Sequence, residues 1–568
     1  MSKQQEMLKG ADALLRVFRE EGVDVFFGYP GGSVIPIYDS LFDAEDIRDI
    51  LPRHEQGAAH AADGYARVTG KVGVCMATSG PGACNLVTGL ATAYMDSIPM
   101  VAITGQVKTH LVGTDGFQEA DTTGITIPVT KHSYLIKDPN EVARFPDIIR
   151  EAFYLAGHGR PGPVLVDIPF DVSLGEVPWA ERDIEGLDAY EPLAVADDAD
   201  IVRATEMIAE AERPVLMIGG GVTASEASAE VRQLAEKCNI CVVHTLMGKG
   251  GFPESHELSL GMPGMHGTVT ASYALQHSDL MIVIGARFDD RITGDLERFA
   301  PDACVIHIDI DPAELDKVRH AHVGIVADAR LALEKLLEAV KPRERGDWDD
   351  YLLRFREEHP LSYEQGDEAI VPQYVVQQLH EITEGKAIIT TEVGQNQMWA
   401  AHYYKLDEPR RWCSSGGLGT MGYGHPAALG AQVGRPDDLV CDIAGDGSIQ
   451  MCIQELATGV INKLPIKILI LNNSYLGMVR QWQDMFFDKR YSGVDLTGNP
   501  DFVRVAEAYG AVGMRITKPD EVAPAIEKAL EVDDVPVVMD FVVAQEENVF
   551  PMIPAGKSYD EIMERAPE

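Results

Sequence analysis

Cysteine is scarce in this chain: eight among 568 residues, too few and too scattered for a disulfide framework. One pair, Cys238 and Cys241, has C-x-x-C spacing, but no second pair completes a zinc site. Its flanks read as a turn entering a buried strand, so both are expected to be structural. Positive charge is also short. Lys and Arg number 48 against 89 Asp and Glu, a formal net charge of -41, which argues against a nucleic-acid or anionic-membrane partner because phosphates would repel the surface. The acid is spread along the chain and reads as a solvated surface, with adaptation to high salt as the alternative. Long apolar runs are missing as well. None approaches the ~20 residues of a membrane helix, and the polar residues 1–10 carry no apolar signal-peptide core. A soluble cytoplasmic chain is expected.

What is present is a threefold alternation. At ~150 residues per domain the length suggests three or four domains, and three blocks separate. The first, residues 1–175, has apolar strands at 23–28, 72–77, 100–104 and 164–168; a polar linker follows at 175–200. The second, 190–342, has short apolar runs at 213–219, 280–285 and 305–310, each ending in Gly or Asp, as strands buried on both faces of a parallel sheet do. A charged stretch at 341–368 separates it from the third block, 365–552, with strands at 387–390, 439–442, 466–471 and 535–540. Residues 553–568 form a tail. Strands alternating with helices three times over predict an α/β protein of three doubly wound parallel-sheet domains, with ligands beyond the carboxyl ends of the strands.

One such end carries the most informative pattern. The strand through Leu439 and Val440 runs into Gly445-Asp446-Gly447-Ser448. Flanking glycines let the backbone approach a phosphate, and Asp446 offers a hard carboxylate oxygen suited to Mg²⁺. A helix over 449–462 and a strand over 466–471 are expected next, ending in Asn472-Asn473. The 27-residue interval from Asp446 to Asn473 returns the chain to the same sheet edge one strand over. Asn473 then supplies a second oxygen, and a backbone carbonyl near Tyr475 a third.

This segment resembles the thiamine-diphosphate motif, and the resemblance covers essentially the whole chain. More closely, the chain is similar to the acetolactate synthase (acetohydroxyacid synthase) family, through Tyr29-Pro-Gly-Gly32, Arg53-His-Glu-Gln-Gly57, Thr78-Ser-Gly-Pro-Gly82, Gly116-Phe-Gln-Glu119, Arg287-Phe-Asp-Asp-Arg291, Gly416-Gly-Leu-Gly-Thr-Met-Gly422 and Gly477-Met-Val-Arg-Gln-Trp-Gln483. The fold implied is a thiamine-diphosphate-binding fold with a central Rossmann-like FAD domain, and the cofactors implied are thiamine diphosphate, Mg²⁺ and FAD. The reaction implied is decarboxylation of pyruvate and ligation of the remaining two-carbon unit to pyruvate or 2-ketobutyrate, in the synthesis of valine, leucine and isoleucine.

Roles follow from the resemblance residue by residue. Glu55, opening a glycine- and alanine-rich helix, would sit beside ring nitrogen N1′ of thiamine, its pKa raised by an apolar pocket; a helix-terminal charge is the alternative for the residue alone. Met421, with Gly419, would wedge between the cofactor's two rings. Gly445, Gly447 and Ser448 would hold the diphosphate; Asp446, Asn473 and Tyr475 the metal. Arg291 would bind the acceptor carboxylate bidentately, with Trp482 and Met478 forming the acceptor's alkyl pocket. Phe117, Gln118, Lys131 and Met265 match further active-site positions. The middle block's Gly219-Gly220-Gly221 is a weak nucleotide signal; with Arg160, His266, Arg287, Asp309 and Asp328 it matches the family's FAD site, and the flavin would be structural. One departure is visible: around His110 the family often has arginines.

In the family Glu55 and the diphosphate site lie on different subunits, which implies a homodimer or tetramer with active sites at the interface. No small-molecule regulatory domain is apparent in the chain, so a separate small regulatory subunit is expected. The rivals are a pyruvate oxidase or decarboxylase on the same fold and a non-catalytic nucleotide-binding scaffold; a glyoxylate carboligase is disfavoured because it lacks a glutamate where Glu55 stands.

Overall fold

The computed structural model describes residues 6–180, 187, 190 and 195–565; part of the expected 175–200 linker, residues 1–5 and the end of the tail lie outside them. Three parallel six-stranded sheets organise the chain. In the first, the strands run Arg48–Ile50, Val25–Tyr29, Gly73–Ala77, Met100–Gln106, Pro163–Pro169 and His132–Leu135. Numbered in chain order, that is 2-1-3-4-6-5. The third sheet has the same order: Trp412–Cys413, Ile388–Thr391, Val440–Gly445, Lys467–Asn472, Val537–Val542 and Val512–Ile516. The middle sheet runs 3-2-1-4-5-6, from Ser259–Gly261 through Val242–His244, Pro214–Ile218, Leu280–Ile284 and Cys304–Asp309 to Val323–Val326. This is the order of dinucleotide-binding sheets, with its switch point between the first and fourth strands.

The central strands are apolar throughout because helices cover both faces; Gly73–Ala77, Met100–Gln106 and Leu280–Ile284 are buried at every residue. The outer domains are joined by two helices, Glu55–Thr69 and Gly424–Gly434, which pack against each other. Their glycines allow it. A Cβ on Gly64 would overlap the carbonyl of Ala427, and one on Gly430 the carbonyl of Ala61. A small antiparallel pair, Glu6–Lys9 with Glu176–Trp179, closes the first domain.

One expectation needs correction. Residues 449–462 are not one helix: 3₁₀ turns at Ile449–Met451 and Ile453–Glu455 precede a short helix, Leu456–Ile461. Cys452 leaves the helical region at φ -130°, and the carboxylate of Glu455 is occupied with backbone N–H groups of another element. The charged stretch 341–368 contains a helix, Asp347–Glu358, whose Leu352 joins the middle domain's core. The tail docks on the same core through Ile553 and Tyr559.

Candidate active site

Gly445 and Leu471 are register partners on adjacent parallel strands, so Asp446 and Asn473 leave the sheet side by side. Asp446 is buried, and burial pushes its carboxyl up to about 6 against the opposing hydrogen bonds of Asn499 and the Asn473 backbone. Asn499 Nδ2 donates to its Oδ2 at 2.6 Å. Asn473 Oδ1 accepts from the Tyr475 N–H at 3.0 Å, and Asn473 Nδ2 donates to Gln395 Oε1 at 3.2 Å. One carboxylate, one amide oxygen and the nearby backbone are a hard-oxygen set that suits Mg²⁺ when phosphate completes the shell. Among the described residues no group of three or more His, Cys, Asp or Glu is placed to hold a metal, so the fit depends on that phosphate. Ser448 Oγ accepts from the Gly445 N–H at 3.1 Å, fixing the turn. Gly447 has a second reason to be glycine: a Cβ there would lie 2.7 Å from Leu476.

These groups open into a cavity of about 920 Å³ lined by residues of all three domains. Gly419, Met421, Met478 and Trp482 line it, as do Gly220, His266, Arg287, Asp309 and Asp328. The volume is near the top of the range for one small-molecule site, about 300–1,000 Å³. Arg291 comes together with Met265 and Trp482: its Nη1 lies 3.2 Å from the Met265 sulfur, and its guanidinium carbon 5.9 Å from the Trp482 ring centroid. It is 58% exposed and, among the described residues, has only Asp290, 3.9 Å away, as an ion partner. A bidentate cation is therefore open beside an apolar wall.

On the middle domain the glycine turn sits at the switch point. Gly219 and Gly221 donate to the carbonyls of Ile284 and Gly285 at 3.0 Å, and a Cβ on Gly221 would lie 2.6 Å from Gly285 Cα. Their smallness serves strand packing, whereas Gly220 has nothing nearer than Met247 at 3.4 Å and faces the cavity. Burial pushes Asp309 up to about 6 and His266 down to about 3, so that imidazole is neutral. The buried Nδ1 of His266 has no hydrogen-bond partner among the described residues. An orphaned ring nitrogen, a buried carboxyl and an open glycine fit a dinucleotide's hydrogen-bonding groups. Arg160, expected at the flavin site, already has three partners. It lines the cavity, but its Nη1 pairs with Glu314 at 2.6 Å and Asp311 at 3.1 Å, and Nε donates to Ser97 Oγ at 2.8 Å.

Four expected residues do not line this cavity. Glu55 is half-buried at the start of its helix, where Asn85 Nδ2 donates to Oε2 at 3.0 Å. A Cβ on Gly82 would lie 3.2 Å from Oε1, and one on Gly80 would lie 2.8 Å from the Gln118 carbonyl. Gln118 itself is held at φ +59°, and Phe117 beside it is 89% exposed. These residues gather on the first domain's own strand ends, apart from Asp446 and Met421. Lys131 is placed elsewhere again: its ammonium donates to the carbonyls of Leu155 and His158, the latter at 2.8 Å, and desolvation pushes it down to about 8. Asn499 and Gln395, which brace Asp446 and Asn473, carry no spacing signal that sequence reading could use.

Known proteins match this chain in each of its three domains. Residues 8–125 match the N-terminal TPP binding domain of thiamine pyrophosphate enzymes, residues 201–336 their central domain and residues 392–541 their C-terminal TPP binding domain. The acetolactate synthase large subunit of Corynebacterium glutamicum is 52% identical over 567 residues, covering 98% of this chain and 90% of that one. A probable acetolactate synthase large subunit of Methanocaldococcus jannaschii is 48% identical over 561 residues, covering 97% and 94%. The acetolactate synthase isozyme 3 large subunit of Escherichia coli K12 is 45% identical over 568 residues, covering 98% of both.

Proposed function

The chain belongs to the acetolactate synthase large-subunit family of thiamine-diphosphate enzymes, and from that premise we propose how its residues divide the work. The enzyme joins two pyruvates into 2-acetolactate and CO₂ for branched-chain amino-acid synthesis. No electrons leave or enter overall. The observation that carries the reading is that Asp446 and Asn473, on neighbouring strand ends, open into the same cavity as Met421 and the Arg291–Trp482 pair.

Thiamine diphosphate, when bound, supplies the carbon that attacks the ketone of pyruvate and the electron sink for decarboxylation. Gly445, Gly447 and Ser448 would hold its diphosphate, with Mg²⁺ on Asp446, Asn473 and the Tyr475 carbonyl. Met421, with Gly419, would hold its two rings in a bent arrangement. Glu55 would keep a proton at ring nitrogen N1′. Arg291 would bind the carboxylate of the second ketoacid, while Trp482 and Met478 exclude water around its alkyl group. One extra methylene in such a pocket is worth ~1–3 kcal/mol, so 2-ketobutyrate is favoured and pyruvate still used. Phe117 and Gln118 would line the substrate's approach beside Glu55; Lys131, with its ammonium turned to carbonyls, would need to reorient to join them.

Gly220, His266, Arg287, Asp309, Asp328 and Arg160 would hold FAD, which a reaction with no net redox change uses structurally. Residues 1–175 would then be the pyrimidine side, 190–342 the flavin domain and 365–552 the diphosphate side. Because Glu55 does not line the cavity of Met421, it would serve the site of a second copy, in a homodimer or tetramer. The apolar side chains exposed on the first domain, Ile35, Phe42 and Phe117, support that interface. The relatives' "large subunit" names support a separate small regulatory partner. Among the described residues no helix is long and apolar enough to cross a membrane.

The test is an assay with pyruvate plus 2-ketobutyrate, omitting thiamine diphosphate, Mg²⁺ and FAD in turn. Acetohydroxy acids formed without oxygen uptake, and lost on each omission, support the reading. Acetaldehyde or acetyl phosphate as the main product would make the enzyme a decarboxylase or oxidase.

A further inference from the structure

Two buried carboxylates reach between the outer domains in a reciprocal way. Glu455 follows the third strand of the third sheet. Its Oε1 accepts the backbone N–H groups of Arg53 and His54, each at 3.0 Å, and Oε2 accepts from Arg53 at 3.1 Å. Those amides belong to the loop that delivers Glu55 to the head of its helix. Asp96 ends the helix that follows the third strand of the first sheet. It accepts the N–H of Gly416 at 3.1 Å and of Gly417 at 2.7 Å, at the start of the loop carrying Met421. Thr92, one turn earlier, meets the Thr420 hydroxyl at 2.8 Å.

The two loops are topological equivalents, each lying between the second and third strands of its sheet. Both braces are tightly enclosed. Glu455 is fully buried, with Thr458 Oγ1 donating to Oε2 at 2.7 Å, and a Cβ on Gly57 would lie 2.6 Å from Oε1. The Asp96 side chain is likewise buried and is paired with Arg67 at 2.8 Å. Arg67 in turn holds Asp63 at 2.5 Å, which accepts from Tyr423 at the far end of the Met421 loop.

We propose that Glu455 and Asp96 are positioning residues, each on one outer domain and each fixing by backbone N–H groups the other domain's cofactor-facing loop. The proposal rests on the assignment of Glu55 and Met421 to thiamine diphosphate given above. Since Glu55 and Met421 of one chain face different sites, the braces make the geometry of each active site depend on the fold around its neighbour. The diphosphate segment runs directly into Glu455, so it is tied to the loop that serves the second copy.

The test uses the full-length assembled enzyme and compares Glu455→Ala with Glu455→Gln, which keeps one acceptor oxygen at Oε1. Hydrogen exchange by mass spectrometry is read at residues 51–56, alongside kcat, KM for pyruvate and thermal midpoint. A hydrogen bond to a charged acceptor corresponds to roughly tenfold or more in an equilibrium. Glu455→Ala should therefore speed exchange of the Arg53 and His54 amides about tenfold and lower kcat by a similar factor, with KM changed less than about threefold. Glu455→Gln should restore most of both. Asp96→Asn against Asp96→Ala should repeat the pattern at residues 415–420. Gly57→Ala displaces the Glu455 carboxylate without removing it, and should mimic Glu455→Ala if that variant fails to assemble. Unchanged exchange in the alanine variants, or freed amides with wild-type kcat, overturns the braces. A Glu55→Gln control with wild-type turnover would instead overturn the assignment of Glu55, leaving exchange to judge the braces alone.

Discussion

The first and third domains share one strand order, and even one buried acid. Asp167 faces Thr104 in the first sheet as Asp540 faces Ile470 in the third. Two residues beyond each partner a side-chain amide closes the pair: Gln106 donates to Asp167 and Asn472 to Asp540, both at 2.8 Å. The domains part at the ends of their third strands. In the first, the strand leads to Thr78 and Ser79, closed in by Ser33, whose Oγ lies 2.9 Å from Thr78 Oγ1 and accepts the Ser79 N–H at 2.8 Å. In the third, it leads to Gly445-Asp446-Gly447, and a buried carboxylate faces the cavity. A handful of side chains at strand ends thus distinguishes two domains built on one scaffold, which is how function is grafted on a fold.

The largest effects test that division of labour. Asp446→Ala removes the carboxylate of the oxygen set and should abolish metal-dependent binding of thiamine diphosphate, with turnover down by about a thousandfold or more. Glu55→Gln should leave diphosphate binding within a few-fold while turnover falls by roughly 10²–10⁴, the usual weight of a proton-handling group. Cofactor titration followed by protein fluorescence, with steady-state rates, separates the two. If both variants lose affinity equally, the halves are not distinct.

Next comes the joint between the halves. Gly430→Ala should destabilise the chain by about 3 kcal/mol, at the upper end for overpacking, because the Cβ would meet the backbone carbonyl of Ala61 rather than a side chain that can turn aside. Gly64→Ala should do the same from the other side, against Ala427. A fall in thermal midpoint in one variant alone would show that the joint yields on one face.

The same joint shows what the sequence could and could not reveal. The central strands were legible as apolar runs because both faces are covered: expectations at 72–77, 280–285 and 466–471 meet strands Gly73–Ala77, Leu280–Ile284 and Lys467–Asn472. The six edge strands were not. Arg48–Ile50, His132–Leu135 and Val512–Ile516 are short or half-exposed, with no apolar run to mark them. Asp446 and Asn473 were legible because glycine and asparagine punctuate strand ends at a spacing of one crossover. Asn499, Asp96 and Glu455 act across 53, about 320 and about 400 residues of chain, and only tertiary structure brings them in. Arg160 joined the flavin site through the resemblance alone, and its pairing with Asp311 and Glu314, about 150 residues away along the chain, shows only in the fold.

A smaller effect separates the paired acids. Asp540 has a cation that Asp167 lacks among the described residues: Arg515 Nε lies 3.0 Å from its Oδ2. Asp540→Asn should cost about 2–3 kcal/mol, below the 3–5 kcal/mol of a fully buried pair, because Arg515 is part-exposed and water covers it once unpaired. The loss should shrink in high salt, which thermal unfolding at two ionic strengths checks.

Asp167→Asn should behave in the opposite way. Burial pushes the Asp167 carboxyl up to about 7 from its ordinary 3.8, against the hydrogen bonds of Thr104 and Gln106, with Asp121 adding to the rise. A folded-state pKa raised above the unfolded one favours the protonated acid in the fold. The stabilisation is therefore complete below about 3.8 and is lost as pH rises through about 7. Above that, keeping the charge buried costs on the order of 4 kcal/mol relative to the acid form. An amide avoids that cost but makes a poorer match to two donors, Thr104 Oγ1 at 2.7 Å and Gln106 Nε2 at 2.8 Å, which returns about 1–3 kcal/mol. The net expectation is a variant slightly less stable than the wild type at pH 5 and roughly 1–2 kcal/mol more stable at pH 8.5. Thermal midpoints at both pH values and one scan rate decide it. A variant destabilised equally at both would mean that Asp167 stays ionised throughout, paired as effectively by Thr104 and Gln106 as Asp540 is by Arg515.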